Sequence, residues 1–73
     1  MKKVFRLEDL DCAHCAAKME EKIAALEGVI GVQISFLSQK MTLEAEDAVF
    51  DVVLEKAIKI CRKIEPDCRI IVK

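Results

Sequence analysis

The sequence predicts a small α+β domain with the element order β-α-β-β-α-β. Three observations carry this. The apolar period switches from two to the helical 3.6 and back, and does so twice along the chain. With 73 residues there is room for only one core. Finally, 53% of residues are hydrophobic, with only two Gly and one Pro, so an efficient core can form. Disordered chains of this length are poor in apolar residues and carry a large net charge. This one has 12 basic against 13 acidic residues.

The elements follow in order. Lys3 to Glu8 alternates, with Phe5 and Leu7 on one face, and reads as a half-buried strand. Asp9 to His14 is short and polar, a loop. From Cys15 to Glu27 the apolar residues Ala16, Met19, Ile23 and Leu26 recur at helical spacing, leaving Lys18, Glu21, Lys22 and Glu27 for solvent. Gly28 stands where a helix C-cap is expected. Val29 to Leu37 returns to period two, with Ile30, Val32, Ile34 and Phe36 on one face. Lys40 to Glu46 repeats the pattern through Met41, Leu43 and Ala45. The short Ser38-Gln39 join pairs these two strands without the Asn-Gly signature of a tight hairpin. A second helix is predicted with its N-cap at Asp47 or Asp51 and Phe50, Val53, Leu54, Ala57, Cys61 and Ile64 facing inward. Pro66 stops it, and Cys68 to Lys73 forms a last strand, with Cys68, Ile70 and Val72 alternating. Right-handed crossovers then give a four-stranded antiparallel sheet with both helices on one face, the ferredoxin-like arrangement. Its topology makes Asp11–Cys15 and Glu65–Cys68 neighbours at one end of the sheet, although about fifty residues of chain separate them.

The composition argues against several functions. No segment concentrates Lys and Arg without acids, so the electrostatic footprint of nucleic-acid binding is missing. No apolar run approaches the ~20 residues of a membrane span, and direct membrane insertion is not expected. Met1 to Arg6 becomes charged again too soon for a signal peptide. Four cysteines without an export signal predict free thiols in the reducing cytoplasm rather than a disulfide framework.

The chemistry concentrates in Asp11-Cys12-Ala13-His14-Cys15. A Cys-x-x-Cys pair on a loop entering a helix can place two sulfurs on one cation, each about 2.3 Å from the ion if it is zinc. The positive end of the helix favours thiolate over thiol. Two thiolates alone suit Cu(I). Divalent soft ions such as zinc, cadmium and lead prefer more donors and accept oxygen, which Asp11 supplies. Asp before a helix is also a common N-cap, which is the competing reading of that residue. His14 and Cys68 are auxiliary candidates. His14 lies between the cysteines and is expected to face solvent or a partner. Cys68 is placed near the loop by topology, but its alternation with Ile70 and Val72 favours the core. Cys61 lies on an inner helical stripe and reads as a small buried hydrophobe.

The segment Leu10-Asp11-Cys12-Ala13-His14-Cys15-Ala16-Ala17-Lys18, set between a first strand and a first helix, resembles the heavy-metal-associated domain family. Its members are small metallochaperones and the N-terminal domains of heavy-metal P-type ATPases. Gly28-Val29-Ile30-Gly31-Val32 strengthens the resemblance, which covers nearly the whole chain. Copper members typically read Met-Thr-Cys-x-x-Cys. The Leu-Asp-Cys-x-x-Cys of this chain resembles the zinc-, cadmium- and lead-exporting ATPases. The resemblance implies Cys12 and Cys15 as ligands with Asp11 as a third, and Zn(II), Cd(II) or Pb(II) as the cargo ahead of Cu(I). It also implies delivery to another metal-binding domain or a membrane transporter, and a dimer bridged by a shared ion is a further arrangement open to it. One departure is Ile64-Glu65-Pro66-Asp67, where members often carry Gly-Tyr or Gly-Phe. The phosphorylated aspartate and membrane helices of a pump are absent, so no ATPase activity is expected of this stretch.

Two other functions compete. Glutaredoxin-type redox proteins also place Cys-x-x-Cys after a first strand, but usually with Pro or an aromatic between the cysteines, where this chain has Ala13-His14. A structural zinc domain using all four cysteines would need a tighter second pair than Cys61 and Cys68 provide.

Overall fold

A computed structural model describes residues 1–72; Lys73, the end of the predicted last strand, lies outside them. The chain forms β1 (Lys2–Glu8), α1 (Ala13–Ala24), β2 (Val29–Ser35), β3 (Lys40–Ala45), a 3-10 turn (Asp47–Val49), α2 (Phe50–Ile64) and β4 (Arg69–Ile71). The strands make one sheet in the order β2-β3-β1-β4, with every pairing antiparallel. Both helices pack on one face of it and against each other, which is the predicted ferredoxin-like arrangement.

Alternation decides which side chains reach the helices. Phe5 and Leu7 from β1 and Met41, Leu43 and Ala45 from β3 are buried, as are Met19 and Ile23 from α1 and Phe50, Val53, Ala57 and Cys61 from α2. The Phe5 and Phe50 rings stack with centroids 6.4 Å apart, joining sheet to helix at the centre of the core. Leu54 and Ile64 are only partly buried at its margin.

Several boundaries differ from the sequence expectation, each for a local reason. Helix α1 starts at Ala13, not Cys15, because the Cys12 sulfur caps it. It ends at Ala24, and Gly28 instead closes the turn into β2 with φ +94°. In β2 the pairing passes from Val29↔Ala45 to Gly31↔Glu44, so Ile30 is the extra residue of a β-bulge. That flips the alternation. Val29 packs against the core and Ile30, predicted inward, is 62% exposed. Neither Asp47 nor Asp51 caps α2. Asp47 instead takes the Met1 ammonium at 2.6 Å, and Asp51 sits in the first helical turn, where the helix dipole favours it. Val72, predicted inward, is 51% exposed beyond the end of β4. Leu10 lies in the segment predicted to be a polar loop, yet it is buried.

The register places three connections at the same end of the sheet. Lys40 opposes Arg6 and Arg69 opposes Glu8, so the β2–β3 turn and the α2–β4 loop both lie beside the exit of β1. Glu65 N–H donates to the Cys61 carbonyl at 2.8 Å and Cys68 N–H donates to the Glu65 carbonyl at 3.0 Å, which fixes the second of these loops.

Candidate metal centre

The site grows out of the helix end. Cys12 has extended backbone angles (φ −125°, ψ 114°), and its sulfur accepts the Cys15 N–H at 3.2 Å, while its carbonyl accepts the Ala16 N–H at 3.0 Å. A sulfur thus occupies the position that a Ser or Asp oxygen takes in an ordinary N-cap. Cys15 lies in the first helical turn, and both thiols are free and partly exposed.

The two thiols hold their protons unequally. The Cys12 thiol is pulled below its ordinary value by the hydrogen bond from the Cys15 side chain and by the Cys15 and His14 amides, against the opposing effects of burial and of Glu65. Cys15 is pushed up to about 11, first because its thiol proton is shared with Cys12, then by desolvation, the Cys12 charge and the Glu65 carboxylate. Cys12 is therefore the first to ionise, and Cys15 keeps its proton at neutral pH.

Glu65, which sequence reasoning named only as part of a neighbouring turn, is the carboxylate closest in effect to the pair. It is half-buried at the C-cap of α2, and its carboxylate raises both cysteines. The signal for it was the departure at Ile64-Glu65-Pro66-Asp67, read beside the topology. Asp11 is exposed and lines, with Asp9, Pro66, Asp67 and Arg69, an open cleft of about 400 Å³ beside the cysteines. The two segments predicted to be neighbours do meet there. No three His, Cys, Asp or Glu side chains are grouped around one point for an ion among the described residues, so Asp11 and Glu65 stand near the cysteine pair rather than arranged about a common centre with it.

The remaining candidates separate. The His14 side chain is exposed on the helix surface. Cys68 and Cys61 are core residues, 2% and 1% exposed. Burial pushes the Cys61 thiol up to about 12, and burial, then Glu65, Asp9 and Asp11, raise Cys68. A zinc site built from all four cysteines is not formed, because this second pair packs within the core while the first lies at the surface.

Residues 4–67 match the sequence profile of the heavy-metal-associated domain. The cadmium, zinc and cobalt-transporting ATPase of Bacillus subtilis (strain 168) is 29% identical over 66 residues, which are 90% of this chain and 9% of that protein. The zinc/cadmium/lead-transporting P-type ATPase of Escherichia coli (strain K12) is 34% identical over 45 residues, 62% of this chain and 6% of that protein. The chain thus spans less than a tenth of the transporters it matches. The copper chaperone CopZ of Enterococcus hirae is 30% identical over 64 residues, 88% of this chain and 86% of the chaperone. Among solved structures, a CopZ metallochaperone superposes with a TM-score of 0.75 at 13% identity, covering 97% of this chain and all of that one. An oxidized MerP from Ralstonia metallidurans CH34 superposes with a TM-score of 0.73 at 20% identity, covering 100% of this chain and 96% of that one. With the fold, the capped Cys-x-x-Cys loop and a profile match over most of its length, the chain belongs to the heavy-metal-associated domain family.

Proposed function

We propose that this domain binds one soft metal ion through the Cys12 and Cys15 sulfurs and passes it to a partner domain by ligand exchange. The observation that carries this reading is the Cys12 cap. It holds one sulfur at a helix N-terminus, beside a second sulfur one turn in, with both reachable from solvent. Transfer needs an under-coordinated, accessible site, whereas a closed tetrahedral one would be structural. The ion is cargo: it displaces the Cys15 proton on loading, and an incoming partner thiolate displaces the sulfurs in turn, one of which recovers the proton.

Divalent zinc, cadmium or lead is favoured over Cu(I) because carboxylates adjoin the sulfurs. Asp11 precedes Cys12 and the Glu65 carboxylate acts on both thiols, which supports each as a donor completing an oxygen-bearing ligand set after side-chain rotation. Two thiolates and one carboxylate leave a divalent ion at a net charge of about minus one, as two thiolates leave a monovalent ion. The transporting ATPases among the relatives carry zinc and cadmium in their names, and the copper chaperone shares the same scaffold. The partner is a second metal-binding domain or a membrane transporter on the cytoplasmic side, and no catalytic step is assigned to the domain itself.

The experiment is a competitive titration of the reduced protein with Zn(II), Cd(II) and Cu(I). Cys12→Ser and Cys15→Ser should each lose binding of all three ions. Asp11→Ala and Glu65→Gln should weaken Zn(II) and Cd(II) by about tenfold or more and leave Cu(I) unchanged. Unaltered zinc affinity in both carboxylate variants would sink the divalent assignment while leaving the cysteine pair standing.

A further inference from the structure

The loop that carries Cys12 is held by a residue from a different part of the chain. Gln39, in the turn between β2 and β3, makes four hydrogen bonds at the exit of β1. Its carbonyl accepts the Leu7 N–H at 2.8 Å. Its side-chain oxygen accepts the Leu10 N–H at 3.1 Å, and its side-chain nitrogen donates to the Leu10 carbonyl at 2.8 Å and to the Phe36 carbonyl at 2.8 Å. The main chain of Gln39 therefore grips β1 on one side of Asp9, and its side chain grips Leu10 on the other.

Asp9 is where the grip matters. It has φ +61°, a left-handed conformation that turns the chain out of the sheet and towards the site. Gln39 itself has φ +55°, so two side-chain-bearing residues in the same uncommon region face each other across this junction. Such conformations persist when the surrounding structure over-determines them. Here the Gln39 amide supplies both backbone partners of Leu10, as a neighbouring strand would, and the Leu10 side chain is buried beneath. Only Asp11 then separates the clamped residue from the Cys12 sulfur.

We propose that Gln39 is a positioning residue for metal binding: its side-chain amide clamps Leu10 and so fixes the Asp11-Cys12 loop at the geometry in which Cys12 and Cys15 share an ion. This rests on the reading of those two cysteines as the metal site. Removing the clamp frees the loop, so part of the binding energy must be spent on ordering it again. The cost falls on retention of the ion.

The test uses the reduced protein loaded with Cd(II), whose thiolate-to-metal absorption reports the site directly. Release to excess EDTA is followed by stopped flow at a temperature well below unfolding. Gln39→Ala removes the amide, and Gln39→Met keeps its bulk without its polar atoms. Val53→Ala, in the core near Gly28 and away from the loop, serves as a comparison of similar or greater destabilisation. Both Gln39 variants should release Cd(II) about tenfold faster than wild type, the equivalent of one or two net hydrogen bonds. Val53→Ala should release it at the wild-type rate despite a lower melting temperature. Equal release rates in wild type and Gln39→Met would overturn the clamp while leaving the metal site intact. Acceleration that merely tracks the loss of melting temperature, Val53→Ala included, would overturn it as well. A wild-type protein that shows no Cys12-dependent Cd(II) absorption would overturn the underlying reading and the clamp together.

Discussion

At Cys12 the helix end and the neighbouring thiol act in the same direction: amide N–H groups and the Cys15 proton all converge on one sulfur. Cys15 carries the corresponding cost, with its proton held up to about 11. In the free protein at neutral pH that proton is still bound, so ligation of an ion by both sulfurs, as proposed, expels it. Apparent Cd(II) affinity should therefore rise by about tenfold per pH unit through the neutral range, or more steeply where Cys12 is also protonated. Competition titrations between about pH 6 and 8 check this. A flat profile would mean that Cys15 does not ligate as a thiolate. Glu65→Gln removes a carboxylate that raises both thiols, and should shift the alkaline thiol titration of the free protein downwards.

Among the elements, the link from α1 to β2 is tightly constrained at Gly28. Gly28 has φ +94°, and a Cβ placed there would meet the Val49 methyl at 2.7 Å and a Val53 methyl at 3.5 Å. Backbone strain and a clash with the start of α2 act together, so Gly28→Ala should cost roughly 1–3 kcal/mol. Urea denaturation measures it, and Cd(II) affinity should stay at the wild-type value because the residue closes the far end of α1. Gly31 has nothing within 4 Å of an added Cβ, so Gly31→Ala should be far milder. The same region shows how a strand absorbs an extra residue: the bulge at Ile30 lets Val29, Val32 and Ile34 share the inward face opposite Ala45, Leu43 and Met41. As an edge strand, β2 has unpaired amides, and the Glu20 carboxylate of α1 takes one of them, the Ile34 N–H, at 2.8 Å.

Taken as one cooperative unit, the domain buries no polar side chain and leaves no buried side-chain nitrogen or oxygen unpartnered among the described residues. Its buried ionisable groups are the thiols of Cys61 and Cys68. Cys61 is raised from its ordinary 9.0 to about 12 by burial and by Cys68. The folded state therefore holds a proton that the unfolded chain releases near pH 9. Stability associated with it is fully present below that pH and is lost as pH rises towards about 12. The urea midpoint of the metal-free protein should fall across this window, and Cys61→Ala should flatten the fall while lowering stability at neutral pH through the cavity it leaves. A midpoint equally steep in Cys61→Ala would assign the alkaline loss to other groups.

The sequence alone determined the architecture, because period-two and helical patterns each name the face that must leave water, and the order of the patterns leaves few topologies. It also determined the cysteine pair and its place at a helix start, and through topology the meeting of Asp11–Cys15 with Glu65–Cys68. Tertiary structure decided what pattern cannot encode. Ile30 looked inward by alternation, but a bulge is a pairing event between two strands, invisible in one. Val72 alternated correctly beyond the last paired residue, where alternation no longer implies burial. Leu10 read as loop because its burial depends on a cover supplied from Gln39 and the core. The effect of Glu65 on the thiols and the Gln39 clamp join residues distant in the chain, so they exist only once the sheet has brought three loops to one end, whereas the Cys12 cap is local and is set by the conformation of a single residue.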